Sequence, residues 1–161
     1  MTQIRNGAHA LWRFLIGVFA VATIVQVVLA GYGVFSADDE GKNKPFSKAF
    51  NAHGGLGFFL TVGSLLILLV ALIAWKEPRI AAESAILFVL MIVQNVLGAL
   101  GKHHPIVGAF HPLLGFGIVG FSWFLFMARV RGGKGHMHHG RTEPAPPPDP
   151  EMSRPTARPP A

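Results

Sequence analysis

Cysteine is absent from the 161 residues. Disulfides, thiolate catalysis, iron–sulfur clusters and cysteine-ligated zinc are thereby excluded. Charge is also scarce. Only 14% of residues are Asp, Glu, Lys or Arg, against about 25% in an average soluble domain. With 51% hydrophobic residues and a mean hydropathy of +0.45, this excludes a disordered chain and argues against an ordinary soluble domain. The formal net charge of +6 is read as a membrane-topology signal and not as a nucleic-acid footprint. The sequence shows no nucleophile paired with a base and no phosphate-binding loop, so nothing points to a hydrolase or a transferase.

The chain does contain long uncharged runs. There are 24 uncharged residues between Arg13 and Asp38, and 27 between Lys48 and Lys76. There are 18 between Glu83 and Lys102, and 26 between Lys102 and Arg129. A bilayer core takes about 20 apolar residues per helix. Four spans are therefore predicted, near 12–35, 52–75, 80–101 and 106–128. The first is read as a span and not a cleaved signal peptide, because it is too long and lacks a clean small-x-small site. In lipid each span must be helical, since every backbone polar group has to be paired internally. The expected fold is an all-α, integral-membrane, up-down-up-down four-helix bundle over residues 1–130. Residues 131–161 are expected to form a disordered cytoplasmic tail, rich first in His (His136, His138, His139) and then in Pro.

Ten of the 14 Lys and Arg residues lie in the N-terminus, the middle loop and the tail. The positive-inside tendency places those segments in the cytoplasm. Both termini are then inside a cell membrane, and the loops at 36–50 and 102–105 are outside.

An internal repeat runs through the spans. Residues 24–33 read IVQVVLAGYG and residues 92–101 read IVQNVLGALG, with Gln26 matching Gln94 and Gly33 matching Gly101. In the following span of each half, His53 opens HGGLGF and His111 opens HPLLGF. Gly57 and Gly115 follow four residues later, and Ser64 and Ser122 eleven residues later. The chain thus reads as two parallel copies of one helical hairpin. Both histidines fall at the outer end, on helices that share a diagonal of the bundle. With neighbouring helices 8–10 Å apart, that diagonal is roughly 13 Å. Such a gap suits a porphyrin held edge-in, with one imidazole on each face of the iron. It is too wide for two imidazoles to share a small tetrahedral metal without helix movement.

In this reading Gly57 and Gly115 leave space one turn below each histidine for the flat macrocycle. Gln26 and Gln94 could bond a propionate, a histidine Nδ1–H or one another, in the way a ligating histidine acquires its outer partner. The alternative is that the glycines serve only close helix packing and the glutamines only interhelical hydrogen bonding. His103 and His104, in the third loop, are read as loop residues near the same outer surface. His9 lies at the inner side, away from the others. The outer-loop acids Asp38, Asp39 and Glu40 are read as part of a solvated turn, and Glu83 is the single acid near a span.

The patterns H-x-x-L-G and V-Q-x-V-L resemble those of small, uncharacterised bacterial four-span membrane proteins, over about residues 12–128. One His opening span 2 and another opening span 4, both on the outer side, also resemble one half of the haem A synthase family and, more loosely, b561-type membrane cytochromes. That second resemblance implies His53 and His111 as axial ligands of haem b and a membrane redox partner. Haem A synthase is twice this length, and many of its members carry a Cys pair that this chain lacks. Its catalytic activity is not carried over. Two readings therefore stand: a small bis-histidine cytochrome acting in electron transfer or haem handling, and a cofactor-free membrane scaffold or accessory subunit.

Overall fold

The computed structural model of the chain describes residues 2–39, 50–74 and 78–132. They form four helices, α1 (Thr2–Asp39), α2 (Asn51–Ala74), α3 (Pro78–Gly101) and α4 (Pro105–Gly132), with no strand among the described residues. Each helix is long and apolar enough to cross a membrane. Successive helices pack on one another, and α1 also packs on α4, so the four close into a ring. This is the expected up-down-up-down bundle of a multi-pass membrane protein. Helices α1 and α3 face each other across one diagonal, and α2 and α4 across the other.

The helix bounds follow local chemistry. Helices α3 and α4 each begin on a proline, whose missing N–H is not needed in a first turn. Between them the chain reverses within a few residues. The amides of His103 and His104 both donate to the Leu100 carbonyl at 3.0 Å, and the Gly108 amide donates to the His104 carbonyl at 3.0 Å. The turn is this tight because two backbones touch. A Cβ on Gly101 would stand 2.6 Å from the Cα of Gly108.

Helix α1 is longer than its apolar run. It starts at Thr2 and continues to Asp39, so Asp38 and Asp39 belong to its last turn and not to the turn expected there. No Gly or Pro interrupts the sequence from Val34 to Asp39, and a helix that leaves the hydrocarbon has no reason to stop where its apolar residues do. Glu40 lies outside the described residues. So does the tail from residue 133 onward, including His136, His138 and His139.

The lipid-facing surface keeps many large apolar side chains exposed, among them Phe14, Phe35, Phe58, Phe59 and Phe116, as a bilayer solvent permits. The interior is filled by Trp12, Ile16, Phe19, Leu60, Ile67, Leu87 and Leu125. At the end away from the histidines, the fully buried Trp12 donates its Nε1–H to Ser84 Oγ at 2.9 Å, tying α1 to α3 across a diagonal. Ser84 in turn donates to the Ile80 carbonyl at 2.8 Å.

Candidate functional site

At the opposite end the other diagonal is closed. His53, the third residue of α2, and His111, the seventh of α4, turn their partly buried rings toward each other. The ring centres are 6.1 Å apart and the planes meet at 71°. The imidazoles therefore span most of the α2–α4 diagonal themselves. This revises the expectation that two imidazoles at this diagonal stand too far apart to share a metal without helix movement.

Each ring is held by its neighbouring helix. His53 Nδ1 lies 3.1 Å from the carbonyl oxygen of Gln26, and His111 Nδ1 lies 3.0 Å from that of Gln94. A carbonyl oxygen only accepts, so Nδ1 carries the proton in both rings. Both Nε2 atoms are then lone-pair acceptors, the form in which an imidazole binds a metal. Of the partners left open for Gln26 and Gln94, the histidine Nδ1–H is the one met, and it is met by the glutamine backbone carbonyl. Because Gln26 and Gln94 occupy matching places in the repeat, the two anchors have the same geometry.

The glutamine side chains act differently. Gln26 Nε2 donates to the backbone carbonyl of His53 at 2.8 Å. Gln94 Nε2 approaches Nε2 of the His111 ring at 3.3 Å. The Oε1 atoms of both are buried and have no hydrogen-bond partner among the described residues. These amides also fill the space beside Gly57 and Gly115. A Cβ on Gly57 would stand 3.1 Å from Gln26 Nε2, and one on Gly115 would stand 3.2 Å from Gln94 Nε2. The glycines were expected to leave that room for a macrocycle. In this structure the amides take it, since glycine lets the glutamine head pack directly against the facing backbone.

One residue of the site was not singled out from the sequence. Gly98 makes the slot in which the His111 ring lies, because a Cβ there would be 3.1 Å from both Cε1 and Nδ1 of that ring. Its spacing of four from Gln94 puts the two on one helix face, which was the available signal. The matching residue of the first half is Ala30. His53 is flanked instead by Phe50, edge to face at 6.1 Å.

Below the histidines a column of hydroxyls continues inward, as the repeat suggests. Ser64 and Ser122 are fully buried. Ser64 donates to the Thr61 carbonyl at 2.7 Å and Ser122 to the Val119 carbonyl at 3.0 Å. Thr23 Oγ1 lies 2.8 Å from the Ala20 carbonyl and 3.3 Å from Ser122 Oγ, and its one proton joins α1 to α4 when it turns from the carbonyl to Ser122. Asn95 Nδ2 donates to Thr61 Oγ1 at 2.7 Å and joins α3 to α2.

His103 and His104 are exposed in the α3–α4 turn, and His9 lies in the first turns of α1, at the far end of the bundle. Glu83 is bound by Arg79 at 2.8 Å, one helical turn away. Among the described residues no three His, Asp or Glu side chains come together as a metal cluster. The histidine pair thus offers two imidazole nitrogens and no third protein ligand among the described residues. A tetrahedral zinc would need further protein ligands or water, whereas a porphyrin brings four nitrogens of its own.

A family model described as a family of unknown function (DUF6220) matches residues 26–102. The match begins at Gln26, includes His53 and Gln94, and stops before His111. It agrees with the expected likeness to small four-span membrane proteins without assigned activity. Neither a curated protein nor a solved structure matches the chain, so the likeness to haem A synthase and b561-type cytochromes rests on histidine placement alone.

Proposed function

We propose that this chain is a small membrane cytochrome in which His53 and His111 are the two axial ligands of a b-type haem. The observation that carries the reading is the matched pair of Nδ1 anchors with ring centres 6.1 Å apart. A metal–imidazole bond is about 2 Å, and the ring centre lies about 1 Å behind its nitrogen, so two axial imidazoles on one metal stand about 6 Å apart. The residues present suit the group. Two nitrogens suffice, the room beside Gly57 and Gly115 opens once the Gln26 and Gln94 amides turn aside, and each of those amides has a buried oxygen, without a partner among the described residues, that a protonated propionate would satisfy.

When bound, the haem supplies one-electron redox chemistry, with both axial positions taken by protein. The protein's own part is orientation. The Gln26 and Gln94 carbonyls fix the tautomer and angle of the rings, and such outer partners also raise ligand basicity. The charge bias among the loops supports an orientation with this end of the bundle at the outer face of a cell membrane. The role that follows is electron transfer with a membrane redox partner, or haem handling, at that face.

One observation favours a second reading. Gln94 already occupies His111 Nε2, as it would in a cofactor-free scaffold whose polar residues only join helices. Haem content decides between the two. Protein produced with haem supplied, then assayed as the pyridine haemochrome, is expected to carry about one haem per chain. His53→Ala and His111→Ala are each expected to lose most of it. Folded wild-type protein without haem overturns the cytochrome reading in favour of the scaffold.

A further inference from the structure

We propose that Gln94 is a gate on His111, so that the two axial positions are unequal and His53 is the first to take a ligand. The inference rests on the reading of the pair as an axial ligand set, and it concerns the order in which that set is filled.

The two half-sites come from matching sequence but differ in three contacts. Gln94 Nε2 sits on the ring Nε2 of His111, whereas Gln26 Nε2 is turned away to the His53 backbone. Among the described residues, no hydrogen bond reaches His53 Nε2. The His111 ring is seated in the slot over Gly98, where the first half has Ala30. The His53 ring instead stands beside Phe50 near the loop end of its helix.

An imidazole nitrogen has one lone pair. It cannot accept from an amide N–H and bind iron at the same time. A ligand can meet His53 directly, but it meets His111 only after Gln94 turns aside. The gate is light. Its bond is long, at 3.3 Å, and in this rotamer Gln94 Oε1 is buried without a partner. Turning the amide away loses one weak bond and frees an unsatisfied acceptor. The same residue thus shields the second ligand in the empty protein and yields it once the first is engaged. Gln94 acts here as a positioning residue, not as a ligand.

The test needs no haem in its first arm. Full-length, haem-free protein in detergent is treated with diethyl pyrocarbonate, which acylates an imidazole at an unprotonated nitrogen, and each histidine is followed by mass spectrometry. His53 is expected to react roughly fivefold faster than His111, the population factor of one neutral hydrogen bond. Gln94→Met keeps the length and removes the donor, so it should bring His111 up to the rate of His53. Equal rates in the wild type, or no change in Gln94→Met, overturn the gate.

The second arm adds haemin and follows the Soret band. The wild type should pass through a high-spin species before the low-spin one, and Gln94→Met should reach the low-spin form without that delay. Expected acylation with no haemin uptake by any variant leaves the gate standing and removes the axial-ligand reading. Low-spin haem formed at one rate in the wild type and in Gln94→Met removes the gate and leaves the axial-ligand reading.

Discussion

His53 and His111 meet edge to face across the α2–α4 diagonal, 6.1 Å between ring centres, although 58 positions separate them in sequence. Each ring is fixed by one bond from Nδ1 to a glutamine carbonyl of the neighbouring helix. Because the anchor is a backbone atom, replacing the glutamine side chain leaves it in place. Gln26→Ala and Gln94→Ala are therefore expected to retain haem, while losing either histidine abolishes low-spin binding. Haem stoichiometry in the four variants checks this, and loss of haem in Gln26→Ala would contradict the backbone-anchor account.

Gly101→Ala should be the most damaging glycine substitution in the chain's described half-turns. Its Cβ would meet the Gly108 backbone at 2.6 Å, and backbone cannot rotate away as a side chain can. Overpacking of this kind costs about 1–3 kcal/mol. The strain falls on Gly108, three residues before His111, and should disturb its ring. Gly120→Ala meets nothing within 4 Å and is the matched control, expected to be neutral or mildly stabilising. Unfolding in mixed detergent compares the two.

The Trp12–Ser84 bond ties α1 to α3 at the end away from the histidines. Interhelical hydrogen bonds in membranes average about 0.6 kcal/mol and reach about 1.7 kcal/mol. A double-mutant cycle with Trp12→Phe and Ser84→Ala should give a coupling energy in that range. The change to Phe keeps most of the ring volume, so the coupling reports the bond and not a cavity. Haem binding, at the other end, should be unaffected.

The Asn95–Thr61 bond breaks the symmetry of the repeat. The matching residues in the other half are Val27 and Val119. Replacing both partners by apolar groups leaves no polar atom unpaired and should be nearly neutral, whereas Thr61→Val alone strands Asn95 and should cost about 1 kcal/mol. The pair Thr61→Val with Asn95→Val, measured against each single variant, tests whether the bond is structural glue.

Much of this was legible in the sequence, and the boundary is physical. Charge gaps located all four helices, because lipid excludes unpaired charge more strictly than any helix propensity acts. They did not give the length of α1, since an apolar run measures hydrocarbon thickness while a helix continues until something breaks it. The repeat brought out His53, His111, Gln26 and Gln94 together, because equal offsets put equal residues at equal depth. It did not show which atoms of the glutamines meet the rings. That depends on helix rotation and rotamers, which periodicity fixes only to within a face. For the same reason Trp12 with Ser84, Thr23 with Ser122 and the slot at Gly98 went unread. Each joins residues on different helices, and no spacing within one helix shows which residues of the next it meets. The space beside Gly57 and Gly115 reads in the sequence as a vacancy for a cofactor, whereas the glutamine amides, whose rotamers no pattern gives, lie in it.

The histidine pair as an axial ligand set is tested most directly by one spectrum. Wild-type protein, purified in detergent after expression with haem supplied, is recorded oxidised and then reduced with dithionite, beside His53→Ala and His111→Ala. The account predicts a sharp reduced α-band of a low-spin b-type haem in the wild type, absent from both variants. A folded wild-type protein with no such band, or a band that survives the loss of both histidines, would contradict it.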